Sequence, residues 1–141
     1  MLDHISIKGD QVRFKRVGTV LLGFAAVTGL MSGTAAEATP LQDCQAVNVP
    51  VGLNFCIFYN SDYGGDMVPL NANVANFAGW TWDNGEPVKN NAASAYNYTE
   101  RCGRLYYNSY YAGASDTIAA GSGWRRLVNT YNNNASFRWC S

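Results

Sequence analysis

The sequence predicts an all-β domain of two packed sheets, cross-linked by two disulfides and preceded by a cleaved secretory signal. Three observations support this fold class. Four cysteines all follow residue 38, short apolar runs alternate with turn-forming residues, and a hairpin-like pattern occurs twice in the same order.

The N-terminus has the three parts of a secretory signal. Four basic side chains lie in the first sixteen positions, the uncharged run Val17–Leu30 follows, and Ala36 and Ala38 form an A-x-A site. A membrane anchor is the alternative, but the run has 14 residues and a spanning helix needs about 20. We therefore expect cleavage after Ala38, secretion, and no membrane association afterwards.

The remaining segment, residues 39–141, has the length of one domain. It carries seven acidic and six basic side chains, so its charge does not favour nucleic acid as a partner. It is rich in Asn, Tyr and Gly, which favours strands and polar turns over helices. We expect a monomer.

The four cysteines predict a disulfide framework, as is usual in exported proteins. Three pairings are possible, and we favour Cys44–Cys56 with Cys102–Cys140 because this gives each half of the domain one disulfide. A zinc site is the alternative. It is disfavoured because there is no C-x-x-C pair and because the only histidine, His4, leaves with the signal.

No catalytic residue is predicted. Without a histidine or a free thiol, the exported domain has neither Ser-His-Asp nor Cys-His chemistry. A two-carboxylate glycosidase is formally possible, but none of the acids lies in a recognisable motif. The acids considered are Asp62, Asp66, Asp83, Glu86, Glu100 and Asp116.

An internal repeat is the most informative feature. Phe58–Gly65 and Tyr106–Gly113 both read aromatic, four residues, aromatic, one residue, glycine, and Asn90–Ser94 matches Asn132–Ser136 downstream. We interpret each first segment as a tight hairpin whose glycine takes a positive φ, and each second segment as a turn. The predicted fold-motif residues are Phe58, Tyr63 and Gly65 in the first half and Tyr106, Tyr111 and Gly113 in the second.

Short apolar or aromatic runs predict six strands, and no long helical periodicity follows the signal. The predicted strands are Phe55–Tyr59, Met67–Leu70, Ala93–Tyr98, Arg104–Tyr107, Asp116–Ala119 and Ser136–Cys140. Trp124–Thr130 is expected to form a short helical turn.

The duplicated pattern resembles the βγ-crystallin double Greek key. The leading cysteine, the Asn-Phe-Cys-Ile-Phe run from Asn54 to Phe58, the Tyr-Gly-Gly turn and the segment Val88–Ser94 resemble peptidase inhibitor family thirty-six, the Streptomyces metalloproteinase inhibitor family. The resemblance implies one domain over residues 39–141, a double Greek-key sandwich with repeats at about 44–98 and 102–141.

The resemblance also implies a function, inhibition of a thermolysin-type extracellular metalloprotease. A disulfide-supported loop would mimic a substrate and resist cleavage because it is pre-organised. By the same resemblance the reactive bond follows a cysteine, which places the candidate loop at Arg101, Cys102 and Gly103. The alternative is that Cys102 is a structural disulfide beside a linker.

A non-inhibitory calcium-binding or structural extracellular module is the competing class. The matching βγ-crystallin loops bind Ca²⁺ through oxygen atoms, and calcium usually takes six to eight such ligands including carboxylates. The candidate residues are Asn90, Asn91 and Ser94, then Asn132, Asn133 and Ser136. Because they offer amides instead of carboxylates, we expect weak calcium binding or none, and no required cofactor.

Aromatic residues offer a third possibility, contact with a glycan or a partner protein. Trp80, Trp82, Tyr110 and Tyr111 are the candidates, and Trp80 and Trp82 are favoured because they lie in the longer loop of the first half. Tyr106 and Trp139 are expected in the core.

Overall fold

The computed structural model describes residues 39–46 and 54–141, so the predicted signal, residues 1–38, lies outside the described residues. Within the described ranges, no helix is both long enough and apolar enough to cross a membrane.

The described residues form one short helix, seven strands and two single 3₁₀ turns. These are α1 (Pro40–Ala46), β1 (Phe55–Phe58), a turn (Ser61–Tyr63), β2 (Met67–Leu70), β3 (Ser94–Asn97), β4 (Gly103–Asn108), a turn (Ser109–Tyr111), β5 (Ala112–Ile118), β6 (Gly123–Trp124) and β7 (Ser136–Trp139). All six predicted strands are present, although β5 begins four residues before the predicted start.

Two antiparallel sheets make up the domain. Sheet A has the order β2-β1-β3-β6 and sheet B the order β5-β4-β7. The two sheets bury a shared core in which the rings of Phe55, from sheet A, and Phe137, from sheet B, lie 4.6 Å apart. The predicted two-sheet, disulfide-linked fold class is confirmed.

The halves of the chain exchange strands. The short strand β6 belongs to the second half but pairs with β3 in sheet A, and Val74 belongs to the first half but bridges Phe137 in sheet B. Each sheet is therefore completed by the other half, as expected for units that cannot bury their apolar faces alone.

The two hairpins have the same unusual backbone. Asp62 and Tyr63 have φ values of 58° and 60°, and Tyr110 and Tyr111 have values of 59° and 63°. A glycine follows each turn with a positive φ, and a Cβ added at Gly65 would lie 2.8 Å from the Asn60 side chain. Glycine is required here for both its φ and its lack of a side chain.

A buried serine fastens each hairpin. The Ser94 hydroxyl donates to the Asn60 carbonyl at 2.6 Å and accepts the Tyr63 amide at 3.1 Å. Ser136 makes the equivalent bonds to the second hairpin, at 2.7 and 3.0 Å. Each serine thus connects the hairpin to the strand that follows the Asn-Asn turn.

The disulfides join Cys44 to Cys56 and Cys102 to Cys140, which is the pairing favoured from the sequence. The first attaches α1 to strand β1 in sheet A. The second joins the start of β4 to the residue after β7, both in sheet B. Each half therefore contains its own cross-link.

The helix α1 was not expected from the sequence. Its signal is a capping box: Thr39 precedes Pro40, the Thr39 amide donates to Gln42 Oε1 at 2.8 Å, and the Gln42 amide donates to Thr39 Oγ1 at 3.3 Å. The motif lies at the predicted signal cleavage site, where it was interpreted only as a processing signal.

The expected helical turn at Trp124–Thr130 is wrong. Trp124 belongs to β6, and the amides that follow bond to distant partners instead of to the preceding turn. Leu127 donates to the Ala93 carbonyl, and Thr130 donates to the Asp116 carboxylate. Tertiary hydrogen bonds therefore replace the helical ladder.

Asn134 links the two halves at the centre of the domain. It is fully buried, its Nδ2 donates to the carbonyls of Ala92 and Thr130 at 2.7 and 3.0 Å, and its Oδ1 accepts the Ala92 amide at 3.2 Å. The position equivalent to Asn134 in the first repeat is Ala92 itself, so alanine fits this backbone.

We predict that Asn134→Ala lowers the free energy of unfolding by about 1–3 kcal/mol, because the buried Ala92 amide loses its acceptor and the Ala92 and Thr130 carbonyls each lose one of two donors. Chemical denaturation of the oxidised protein measures this loss. Asn133→Ala is the matched control; that side chain is exposed and bonds only to the Tyr131 carbonyl, so its cost should stay below about 0.5 kcal/mol. Equal losses in the two variants would show that Asn134 does not couple the halves.

Candidate functional site

The segment between the two repeats, which we call the stapled loop (Thr99–Cys102), is irregular but extensively hydrogen-bonded. Buried Asn97 at the end of β3 organises it: its Nδ2 donates to the carbonyls of Arg101 at 2.7 Å, Ile118 at 3.2 Å and Ala119 at 3.1 Å. One side chain thus ties the loop to the end of β5.

Thr99 completes this support. Its amide donates to Asn97 Oδ1 at 2.9 Å, and its hydroxyl accepts the Arg101 amide at 3.2 Å. The Thr99 carbonyl in turn accepts the Gly121 amide. The backbone of the loop is therefore fixed on both sides before any partner binds.

Tyr98 anchors the entry to the loop. Its hydroxyl donates to the Leu41 carbonyl at 3.4 Å, and its ring lies 4.3 Å from that of Tyr96. Burial raises the pKa of the Tyr98 phenol above its usual value, with smaller contributions from Tyr96 and Tyr63. The raised pKa favours the protonated phenol, which is the form that donates to Leu41.

The candidate reactive bond, Cys102–Gly103, lies where the stapled loop enters strand β4 of sheet B. The Cys102 carbonyl accepts the Cys140 amide at 2.9 Å, and Gly103 begins β4, the middle strand. A Cβ at Gly103 would lie 2.6 Å from the Phe55 ring and 2.7 Å from the Phe137 ring. Glycine is required here by close packing against the core.

The neighbouring residues are the exposed part of the stapled loop. Glu100 and Arg101 face solvent, and the Arg101 guanidinium lies 5.0 Å from the centre of the Trp139 ring. Among the three candidate loop residues, Arg101 is therefore the one whose side chain is available to a partner.

Two polar clefts of about 200 and 190 Å³ lie where the Asn-Asn turns approach the hairpins. Cleft 1 is lined by Lys89, Asn90, Tyr107, Asn108, Ser109, Asn133 and Ala135. Cleft 2 is lined by Tyr59, Asn60, Ser61, Asn91, Ala93, Tyr131 and Asn132.

Each cleft is lined by residues of both repeats, and equivalent positions of the two repeats line opposite clefts. Asn90 faces cleft 1 together with Asn133, whereas Asn91 faces cleft 2 together with Asn132. The sequence grouped each neighbouring pair into one site, but the fold divides each pair between two clefts.

The predicted serine ligands are also absent from the lining. The hydroxyls of Ser94 and Ser136 are fully buried and already bonded to the hairpins. Of the six candidate calcium ligands, only the four asparagines therefore line the clefts.

The donor set does not suit calcium. Neither cleft is lined by an acidic side chain, and cleft 1 contains the Lys89 ammonium, which donates to Ser109 Oγ at 3.1 Å. The equivalent position in cleft 2 is Tyr131. In the described ranges no group of three or more His, Cys, Asp or Glu side chains could hold a metal ion. Hard divalent cations favour carboxylate oxygens, so these residues fit Ca²⁺ poorly.

The candidate partner-contacting aromatics are mostly occupied within the fold. Trp82 was expected to contact a partner but is 2% exposed and packs against Tyr59, and Trp80 packs partly buried against the core. Tyr111 contacts the Arg138 guanidinium. Only Tyr110 is strongly exposed, because it lies at the tip of its hairpin.

Comparison with solved structures identifies the fold. The N-terminal domain of protein S superimposes with a TM-score of 0.51 and 25% identity, over 62% of this chain and 96% of its own. A domain from work on the evolution of the eye lens βγ-crystallin domain fold gives 0.55 and 13%, over 65% and 89%. The chain therefore has the βγ-crystallin fold.

A comparison with curated protein sequences gives no significant match. A comparison with protein families does give one. The profile described as peptidase inhibitor family I36 matches residues 42–118, more than half of the chain and including the stapled loop. This protein belongs to peptidase inhibitor family I36.

Proposed function

We propose that this protein acts outside the cytoplasm as an inhibitor of thermolysin-type metalloproteases, with the stapled loop as part of its contact surface. Family membership carries the proposal, since it indicates a peptidase as partner. Two disulfides and a signal-like N-terminus support export to an oxidising compartment.

The pre-organised loop provides the physical reason for inhibition. A flexible substrate loses conformational freedom when it binds, whereas a loop already fixed by Asn97, Thr99 and a disulfide loses little. A peptidase that binds such a loop gains the contacts of a substrate while cleavage is opposed by the rigid surroundings. No catalytic group of the inhibitor is required.

The position of the Cys102–Cys140 disulfide has a direct consequence for cleavage. A cut between Cys102 and Gly103 leaves the two fragments covalently joined through Cys140. A cut before Cys102 separates them, because the other disulfide lies wholly within the first fragment. Denaturing gel electrophoresis with and without reductant can therefore distinguish a cut just before Cys102 from a cut just after it.

We predict stoichiometric inhibition when oxidised protein is titrated into thermolysin, with loss of inhibition after disulfide reduction. Arg101→Glu should raise the inhibition constant by roughly tenfold, because interface arginines contribute strongly to binding. Arg138→Glu is the matched control, because Arg138 also stacks on an aromatic ring, at 5.3 Å, but lies outside the loop. It should change the constant by less than about threefold.

Absence of inhibition at micromolar protein would refute the thermolysin-type target. Equal effects of Arg101→Glu and Arg138→Glu would instead keep the inhibitor function and remove the stapled loop from the contact surface. Neither outcome depends on knowing the natural enzyme.

Calcium binding is the second candidate, and the lining of the clefts weighs against it. We predict that 1 mM Ca²⁺ shifts the melting temperature by less than about 2 °C, which corresponds to binding no tighter than millimolar. A shift above about 5 °C, which corresponds to submillimolar binding, would restore the calcium-module hypothesis.

A matched pair of variants tests whether the missing carboxylates and the Lys89 ammonium are the cause of the weak calcium binding that we predict. Asn90 and Asn132 have equivalent positions and positive φ values of 65° and 51°, which aspartate also tolerates. Asn132→Asp should give a clear calcium-dependent rise in melting temperature, and Asn90→Asp a smaller one, because the Lys89 ammonium repels the ion in cleft 1. Equal responses would show that Lys89 has no such effect.

A further inference from the structure

Three of the described residues have large hydrophobic side chains that are exposed to solvent. Val128 is the only aliphatic one among them. It is 70% exposed; the other two, Tyr110 at 75% and Tyr107 at 44%, each carry a hydroxyl that water can bind. A single exposed apolar residue is common on protein surfaces and requires no function by itself. The backbone beneath Val128 is the second observation.

That backbone is held from both directions. Before it, Leu127 is buried in the core and its amide donates to the Ala93 carbonyl at 2.9 Å. From Val128 onward, three consecutive amides, those of Val128, Asn129 and Thr130, donate to the Asp116 carboxylate at 3.1, 3.1 and 2.9 Å. The segment has no regular secondary structure, yet its conformation is fixed. We call Leu127–Thr130 the valine loop.

Asp116 is an unusual residue to hold a surface segment. It is 1% exposed and accepts two further bonds, from Thr130 Oγ1 at 2.8 Å and Asn129 Nδ2 at 3.2 Å. Burying a carboxylate costs free energy unless hydrogen bonds replace its water, and here five donors do so. All five come from the residues at and just after Val128, so the carboxylate serves to fix this loop.

The valine loop and the stapled loop are attached to the same strand. Asp116 lies on β5 two residues before Ile118, whose carbonyl accepts from Asn97, the organiser of the stapled loop. Two residues of a strand span about 7 Å. Both attachment points are buried, so the same strand positions both loops from inside the domain.

We propose that Val128 is the apolar contact residue of this inhibitor, and that its side chain enters an apolar specificity pocket of the partner peptidase. The proposal rests on the inhibitory function proposed above and adds an apolar contact residue to it, whereas Gly103 in the candidate reactive bond is buried and has no side chain. Val128 lies after the family match, which ends at residue 118, so that match assigns it no role.

The hydrogen bonds of the valine loop also limit how it can bind an enzyme. The amides of Val128 and Asn129 point inward to Asp116, so they are not available to pair with a strand of the enzyme as those of an extended substrate would. The valine loop therefore contributes a side chain to the complex and is not the bond that is cut.

The test is the inhibition constant of thermolysin with the full oxidised protein and three variants. Val128→Asp should weaken inhibition by at least about thirtyfold, because a charge would enter an apolar pocket. Val128→Thr, which keeps the shape and adds a hydroxyl, should weaken it by about five- to tenfold. Tyr110→Asp is the control and should change it by less than about threefold.

Tyr110 is a suitable control because it is as exposed as Val128, and because Asp62 already occupies the equivalent position in the first hairpin with nearly the same φ, 58° against 59°. Melting temperatures of all variants are measured in parallel. If Val128→Asp lowers the melting temperature by more than about 5 °C, the conservative Val128→Thr decides the outcome.

The possible failures are distinguishable. Wild-type inhibition that survives both Val128 substitutions unchanged would overturn this inference and leave the inhibitor function standing. A wild-type protein that does not inhibit thermolysin would overturn both. Loss of inhibition in Tyr110→Asp to the same extent as in Val128→Asp would also overturn the inference, because the effect would then follow surface charge and not position.

Discussion

The domain depends on two buried serine hydroxyls that hold two hairpins in an unfavourable backbone conformation. Each hairpin has two consecutive non-glycine residues with positive φ, a conformation that costs roughly 1–2 kcal/mol per residue. In each, the serine offers one acceptor and one donor to the hairpin backbone, so the conformation of the turn depends on the later strand. The local structure of each hairpin is therefore supported by tertiary contacts. The clefts lie where these hairpins approach the Asn-Asn turns.

The sequence predicted those parts of the fold that repeat or alternate. The aromatic and glycine positions of the hairpins and the six strands follow from patterns that are local in the chain, and the disulfide pairing is favoured because it gives each half one cross-link. The Phe58 and Tyr63 rings lie 5.6 Å apart, and those of Tyr106 and Tyr111 lie 6.0 Å apart, as expected for paired motif residues. What could not be predicted depends on partners far along the chain. Nothing near Asn97 in the sequence indicates that it bonds to three carbonyls, and Asp116 is one of several acids that lie in no recognisable motif.

The grouping of the cleft residues illustrates the same limit. The resemblance to βγ-crystallin calcium loops assigns the adjacent asparagines of each loop to one site. The Asn90 amide donates to the Asn134 carbonyl and the Asn132 amide donates to the Ala92 carbonyl, so the two turns cross at the centre of the domain. This crossing sends the members of each pair to opposite clefts. At equivalent positions the linings of the two clefts differ by one residue, which is a lysine in cleft 1 and a tyrosine in cleft 2. An alignment of the two repeats contains this difference but does not indicate that it matters.

The exchange of backbone pairing between the halves bears on how the molecule responds to proteolysis. A protein built from two independent units would fall apart when the connecting peptide is broken. Here β6 pairs with β3 in the first sheet, and Val74 bridges Phe137 in the second, so a cut in a connection outside these segments leaves both contacts between the halves in place. We expect the two broken ends to stay near each other at a high local concentration, so that rejoining competes with escape. Under native conditions the interlocked halves would then hold a clipped molecule together where two independent units would separate.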